Sequence, residues 1–151
     1  IRKNQMKKKT VFLDIDGTIY SSFGVIPDST KKAIQTARDN GHRLFLNTGR
    51  NKGEVPEDIL ALGFDGLIGS SGAYVEAENK IIFNKHFDHK LCHILYDLLI
   101  EHNITFTAET NTKIFGTHEN IHKQISIFKN YAKEIVENKI GSIKEHDDIR
   151  G

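Results

Sequence analysis

The sequence predicts an α/β fold, a parallel-sheet core followed by an α+β segment. Three observations lead there. Short apolar runs at residues 10–15, 43–47 and 66–69 alternate with two stretches of helical periodicity. After residue 73 the pattern changes to paired strand-like runs around a long amphipathic helix. Two aspartates, Asp14 and Asp16, stand at the end of the first run. The order strand, helix, strand, helix, strand favours right-handed crossovers and parallel pairing.

The elements follow in order. Residues 1–9 form a basic lead-in with Arg2, Lys3, Lys7, Lys8 and Lys9. A secretory signal would continue into an apolar stretch of about 7–15 residues. Here Val11, Phe12 and Leu13 are stopped at once by Asp14 and Asp16. Residues 10–15 read as a buried strand, because β-branched and aromatic residues run without alternation. A loop leads to Pro27, and Asp28-Ser29 supplies a cap for a helix with Ala33, Ile34 and Ala37 on one face. Asn40-Gly41 stops it. Residues 43–47 form the second strand. A helix is expected over 54–62, with Pro56 in its first turn and Gly63 as its stop. Residues 66–69 form the third strand.

Residues 73–77 and 80–85 read as a hairpin turning at Glu78-Asn79. Residues 88–102 carry the clearest helical pattern. Leu91, Ile94, Leu95, Leu98 and Leu99 fall at i, i+3, i+4, i+7 and i+8, a stripe read as core. Strands are expected at 104–108 and 113–116, a less regular helix at 119–138, and a last strand opening at 140–143. The division expected is a lead-in over 1–9, a core over 10–84 and an α+β domain over 85–151.

Composition closes several alternatives. Of 151 residues, 38% are hydrophobic and 27% charged, which describes a globular chain rather than a disordered one. Lys+Arg is 21 against Asp+Glu 20, so no bulk positive charge recruits nucleic acid. No apolar run reaches the ~18 residues of a membrane span. The single cysteine, Cys92, excludes an internal disulfide framework and fits a reducing cytoplasm. His89 and His93 share a helical face, but no Glu follows the first, so the zinc-peptidase pattern is absent. Gly63, Gly66, Gly69 and Gly72 do not form the dinucleotide fingerprint.

The chemistry lies in Asp14-Ile15-Asp16-Gly17-Thr18. In an open parallel sheet, ligands bind beyond the carboxyl ends of the strands. Residues i and i+2 of an extended segment point the same way, so both carboxylates face one site. Two such carboxylates repel each other and a phosphate dianion. A divalent cation resolves the conflict, and hard oxygen donors select Mg²⁺. One aspartate then attacks phosphorus while the other handles the leaving-group proton. A second signal is Thr48-Gly49-Arg50 at the end of the second strand. A hydroxyl followed by a glycine N–H is a small anion site, and Arg50 adds a two-pronged donor.

Together these residues resemble the haloacid dehalogenase (HAD) superfamily of phosphohydrolases. The segment Asp14-Ile15-Asp16-Gly17-Thr18 is similar to its first motif, and Thr48 to the hydroxyl of its second. The form Thr48-Gly49-Arg50, then Gly63-Phe64-Asp65-Gly66-Leu67-Ile68 and Ser71-Gly72-Ala73-Tyr74-Val75, is similar to the Cof-type branch with a IIB cap. That branch usually has Asn at the position of Ser71.

The resemblance implies a Rossmann-like core with an inserted α+β cap. It implies Asp14 as nucleophile and Mg²⁺ ligand, and Asp16 as general acid/base with its main-chain carbonyl on the metal. Thr48 and the Gly49 N–H would hold phosphoryl oxygens, and Arg50 would lie near the phosphate or the core–cap interface. It implies hydrolysis of a small phosphorylated metabolite, sugar phosphate-like, through an aspartyl-phosphate. Two later family motifs, a lysine and Gly-Asp-x-x-[Asn/Asp], are not in the sequence, so the resemblance implies a chain that stops within the cap. The first strand would then be an apolar edge rather than a central strand. The alternative is a protein or fragment that binds a phosphate ligand without turning it over.

Overall fold

The computed structural model describes residues 7–21, 24–116 and 140–142 of the chain. The chain divides into two units. The first holds residues 1–50 and 55–84, the second residues 51–54 and 85–151.

The first unit is built on a five-stranded sheet. Its strands are β1 (Thr10–Leu13), β2 (Arg43–Asn47), β3 (Gly66–Gly69), β4 (Tyr74–Ala77) and β5 (Lys80–Asn84), paired in that order. β1, β2 and β3 are parallel, and β4 and β5 add antiparallel. The expected strand–helix alternation is therefore present. The expected hairpin is present too, with Glu78 at φ 52° and Asn79 at φ 60°. Two left-handed residues in succession give the type I′ turn whose twist matches the flanking strands.

A rung of leucines runs across the parallel strands. Leu13 pairs with Leu46 and Leu46 with Leu67. These side chains meet Ile15, Ile19, Tyr20, Ile26, Val55, Ile59 and Tyr74 in one core. β1 is shorter than expected and alternates in burial, with Phe12 54% exposed. The reason is position: β1 is the edge strand among the described residues, so one face and one side lack cover.

Helix α1 (Asp28–Asp39) begins differently from the expectation. Pro27 is the N-cap, and no side chain caps the first turn. Asp28 is already helical and pairs with Lys31 at 3.3 Å. An acid in the first turn still offsets the positive end of the helix dipole. The Asn40-Gly41 stop stands as expected. The Gly41 N–H donates to the Arg38 carbonyl and the His42 N–H to the Ala37 carbonyl, which is the Schellman pattern.

The helix expected over 54–62 is two pieces. A 3₁₀ turn covers Lys52–Glu54, and helix α2 covers Glu57–Leu60 with Pro56 as its N-cap. Steric pressure from a proline ring disfavours the helical conformation for the residue before it. That residue, Val55, is buried in the core instead.

In the second unit, helix α3 (His89–Glu101) is capped by the Asp88 side chain, which accepts from the Leu91 N–H at 2.8 Å. Its stripe is not core among the described residues. Leu91, Ile94, Leu95 and Leu98 are exposed and Leu99 is half-buried. Periodicity shows that a helix has an apolar face and says nothing about what covers it. Tyr96 meets Phe106 edge to face at 5.8 Å.

Strands β6 (Thr107–Glu109), β7 (Ile114–Gly116) and β8 (Ile140–Ser142) form a second sheet, with β6 and β7 antiparallel and β8 parallel to β7. The helix expected over 119–138 lies outside the described residues. Among the described residues, no helix is long and apolar enough to cross a membrane.

The 3₁₀ turn that follows Arg50 packs with this second unit. Asn51 and Glu54 close it reciprocally. The Glu54 N–H donates to Asn51 Oδ1 at 3.1 Å, and the Asn51 N–H donates to Glu54 Oε2 at 3.1 Å. This is a capping box on a single turn.

Candidate active site

Parallel pairing brings three loops to one edge of the first sheet. Asp14 follows the last residue of β1, Thr48 follows β2, and Ser70 follows β3. The pairing Leu13↔Leu46 and Asn47↔Ile68 sets these strand ends level. Segments 34 and 22 positions apart in sequence therefore share the carboxyl edge of the sheet.

The loop after β1 is a tight turn around one carbonyl. The Ile15 carbonyl accepts from the N–H groups of Thr18, Ile19 and Tyr20 at 3.3, 3.0 and 2.9 Å. Gly17 sits at φ 78°, a conformation that a side chain disfavours. The segment is not extended, so the argument from strand alternation does not apply as stated. Ile15 is buried in the core, and Asp14 and Asp16 on either side of it are exposed. Asp14 Oδ1 accepts from the Ile15 N–H at 2.8 Å, which orients its carboxylate.

Asp16 is held by Arg50. The guanidinium donates from Nε to Oδ2 at 2.8 Å and from Nη2 to Oδ1 at 2.6 Å. This two-pronged geometry fixes the plane of the carboxylate, and charge assistance makes it the strongest hydrogen-bond pairing available to an aspartate. Arg50 was expected near the phosphate or at the core–cap interface. The structure gives its guanidinium this carboxylate partner, a tertiary contact that no local pattern announces.

Thr48 is buried, and its hydroxyl accepts from the Arg50 N–H at 3.2 Å. The bond closes a small hydroxyl turn and leaves the hydroxyl proton available for an acceptor. Below it, the Thr48 N–H donates to the Ile68 carbonyl at 2.9 Å, tying the loop to β3. The Ser70 N–H donates to the Arg50 carbonyl at 2.8 Å. Ser70, Ser71 and Gly72 all have positive φ, at 50°, 52° and 95°. Asn tolerates this region better than Ser, which accounts for the residue usual at position 71 in the family the sequence resembles. The Ser71 hydroxyl oxygen lies 3.7 Å from the point where a Cβ on Gly49 would stand. Ser71 therefore belongs beside the Thr48-Gly49-Arg50 turn.

Two residues escaped the sequence reading. The Tyr20 hydroxyl donates to Asp58 Oδ1 at 2.7 Å, and Asp58 also accepts from the Ile59 N–H at 2.9 Å. The bond anchors the far end of the aspartate loop to the start of α2. Burial first, then the hydrogen bond and charge of Asp58, hold the Tyr20 hydroxyl well above its ordinary pKa. The available signal was the tyrosine itself. A polar tip in an apolar run needs a partner once the ring is buried.

The chemistry of the donor set suits a hard cation. The Asp14 carboxylate and the Asp16 main-chain carbonyl are oxygens of the type Mg²⁺ takes. Among the described residues no three acidic, histidine or cysteine side chains converge.

Comparison with known proteins bears on the family and the fold. The family model for haloacid dehalogenase-like hydrolases matches residues 11–149. YkrA of Bacillus subtilis, itself only an assigned phosphatase, is 33% identical over 110 residues, covering 72% of this chain and 43% of that protein. YcsE of the same organism, a 5-amino-6-(5-phospho-D-ribitylamino)uracil phosphatase, is 28% identical over 121 residues, covering 76% of this chain and 47% of that protein. The solved structure of BT4131, a sugar phosphatase of HAD subclass IIB, superposes with a TM-score of 0.72 at 22% identity. It covers 96% of this chain and 55% of that one, a likeness of fold. The chain thus spans less than half the length of the two curated relatives.

Proposed function

The chain belongs to the haloacid dehalogenase-like hydrolase family, and on that premise we propose that the whole protein is a Mg²⁺-dependent phosphatase of small phosphorylated metabolites. The observation that carries the reading is the convergence of Asp14, Asp16 and the Thr48–Arg50 turn on one sheet edge. Family membership and phosphatase-named relatives support it.

Asp14 is the nucleophile. A carboxylate oxygen forms a bond to phosphorus as the bond to the leaving oxygen breaks, giving an aspartyl-phosphate. Asp16 delivers a proton to that leaving oxygen. It then takes one from the water that attacks phosphorus in the second step, which releases phosphate and regenerates the Asp14 carboxylate. The Thr48 hydroxyl and the Gly49 N–H hold phosphoryl oxygens, and Arg50 sets the plane of Asp16 and adds positive charge near the phosphate. Asp14 and the Asp16 carbonyl would hold the Mg²⁺, which supplies charge neutralisation between the two carboxylates and the phosphate.

The second unit serves as a cap that excludes water and selects the substrate, a sugar phosphate or similar molecule. The single Cys92, together with a balanced net charge, supports a cytoplasmic protein that acts on neither nucleic acid nor membrane.

The test is phosphate release by the whole protein from p-nitrophenyl phosphate and a panel of sugar phosphates, with and without Mg²⁺. Metal-dependent turnover on at least one is expected. A folded protein that turns over none of them would overturn the reading in favour of a phosphate-binding role.

A further inference from the structure

The loop after β3 takes a shape that its residues do not prefer. Ser70, Ser71 and Gly72 follow one another in the left-handed region, at φ 50°, 52° and 95°. That region disfavours a residue with a Cβ and suits glycine. Glycine stands at 72, where an added Cβ would meet nothing within 4 Å, and at 69, where it would crowd the Arg50 carbonyl at 3.1 Å. Positions 70 and 71 carry serines instead.

Backbone bonds account for the shape of the loop. The Ser70 N–H donates to the Arg50 carbonyl at 2.8 Å, and the Ala73 N–H donates to the Ser70 carbonyl at 3.0 Å. Neither bond uses a serine side chain. Ser70 is half-buried, whereas Ser71 is exposed, so packing does not require the side chain at 71. Glycine would form the same backbone without the left-handed cost. A polar side chain at a strained and exposed position points to a role outside the fold. The neighbouring turn indicates which. The Ser71 hydroxyl oxygen lies 3.7 Å from the point where a Cβ on Gly49 would stand. It therefore flanks the glycine whose N–H, with the Thr48 hydroxyl, faces phosphoryl oxygens in the function proposed above.

We propose that Ser71 is a phosphate-contact residue, presented by the left-handed turn at 70–72 so that its hydroxyl donates to a phosphoryl oxygen at the Thr48-Gly49-Arg50 turn. A hydroxyl is a donor that adds no charge. The Arg50 guanidinium is engaged by Asp16 through both of its prongs. A neutral donor from the adjoining loop adds a bond to the anion where that fork is already committed, and bonds to a charged oxygen are the strong ones. The part of Ser71 in turnover rests on the phosphatase reading above. Its part in binding the anion does not.

The test is calorimetric titration of the whole protein with inorganic phosphate in the presence of Mg²⁺, alongside Ser71→Ala, Ser71→Gly and Ser70→Gly. Ser71→Ala keeps the Cβ and loses only the hydroxyl. Ser71→Gly loses the hydroxyl and the strain together. Both are expected to weaken the Kd by about three- to tenfold, the range one net hydrogen bond accounts for. Ser70→Gly relieves the same kind of strain and keeps the Ser71 hydroxyl, so it is expected to bind like the wild type. Thermal melting is the second readout. Ser71→Gly is expected to melt no lower than the wild type, because the left-handed cost it removes offsets the added freedom of the unfolded chain.

Unchanged affinity in either Ser71 variant overturns the contact. So does an equal weakening in Ser70→Gly, which would trace to the shape of the loop rather than to the hydroxyl. A KM for p-nitrophenyl phosphate that rises in Ser71→Ala while the phosphate Kd stays put would place the hydroxyl on the leaving group and overturn it too. Turnover is read separately. A wild type that binds phosphate and hydrolyses no ester refutes the phosphatase reading and leaves the contact to be decided by the Kd alone. A wild type that binds no phosphate overturns the contact.

Discussion

Replacing Tyr20 with Phe removes one atom from the structure and one bond from the candidate site. The ring stays in the core, so no cavity opens. What goes is the 2.7 Å hydrogen bond to Asp58. A bond to a charged acceptor contributes about 1.5–3 kcal/mol net. Asp58 is exposed and is resolvated once released, and it keeps the Ile59 N–H, so the lower end applies. Tyr20→Phe should therefore cost about 1–1.5 kcal/mol at neutral pH.

The same bond makes an alkaline prediction. The Tyr20 hydroxyl has a raised pKa in the folded state because burial and the Asp58 carboxylate disfavour its ionised form. Its contribution is fully present below the ordinary tyrosine value of about 10 and is lost as pH rises further, because the unfolded chain ionises first. The phenylalanine variant has no such loss. The assay is urea denaturation of both proteins from neutral pH to pH of about 11. The gap between them should narrow above pH of about 10, at up to about 1.4 kcal/mol per pH unit. No gap at neutral pH, or a gap that stays constant into alkali, would refute the reasoning.

Other perturbations separate anchoring from chemistry. Ile59 is the sole buried side chain of α2, so Ile59→Ala should destabilise by about 2–5 kcal/mol and free Asp58 from Tyr20; urea denaturation measures the first, and a smaller stability cost of Tyr20→Phe in the Ile59→Ala background measures the second. Gly17→Ala meets no atom within 4 Å, so its cost is the left-handed backbone alone, about 1 kcal/mol, with a larger fractional loss of kcat than of stability. Arg50→Lys keeps the charge but loses the fork, and kcat should fall by about tenfold or more while KM for p-nitrophenyl phosphate changes less. An effect confined to KM would mean that Arg50 serves the substrate and not Asp16.

Much of this fold was legible because its signals are local. Apolar runs ended by turn residues located β1, β2 and β3, and Glu78-Asn79 located the β4–β5 turn. Boundaries failed where a neighbour decided them. Val55 lies outside α2, whose N-cap is Pro56, and a proline disfavours the helical conformation of the residue before it. Asn51-x-x-Glu54 is a capping box in the sequence, yet it closes a single 3₁₀ turn rather than a helix.

At the site, Asp14, Asp16 and Thr48 were legible as residue types placed at strand ends. Their partners were not. Arg50 on Asp16 spans thirty-four positions and Tyr20 on Asp58 thirty-eight, and no periodicity encodes pairings at that distance. The stripe on α3 shows the same limit from the other side, since its apolar face was readable and its cover was not.

The most direct measurement is mass spectrometry of the whole protein after rapid acid quench of a single turnover with p-nitrophenyl phosphate and Mg²⁺. The account predicts a phosphate adduct on the peptide carrying Asp14, absent in Asp14→Asn. Steady hydrolysis with no adduct, or an adduct that persists in Asp14→Asn, would contradict it.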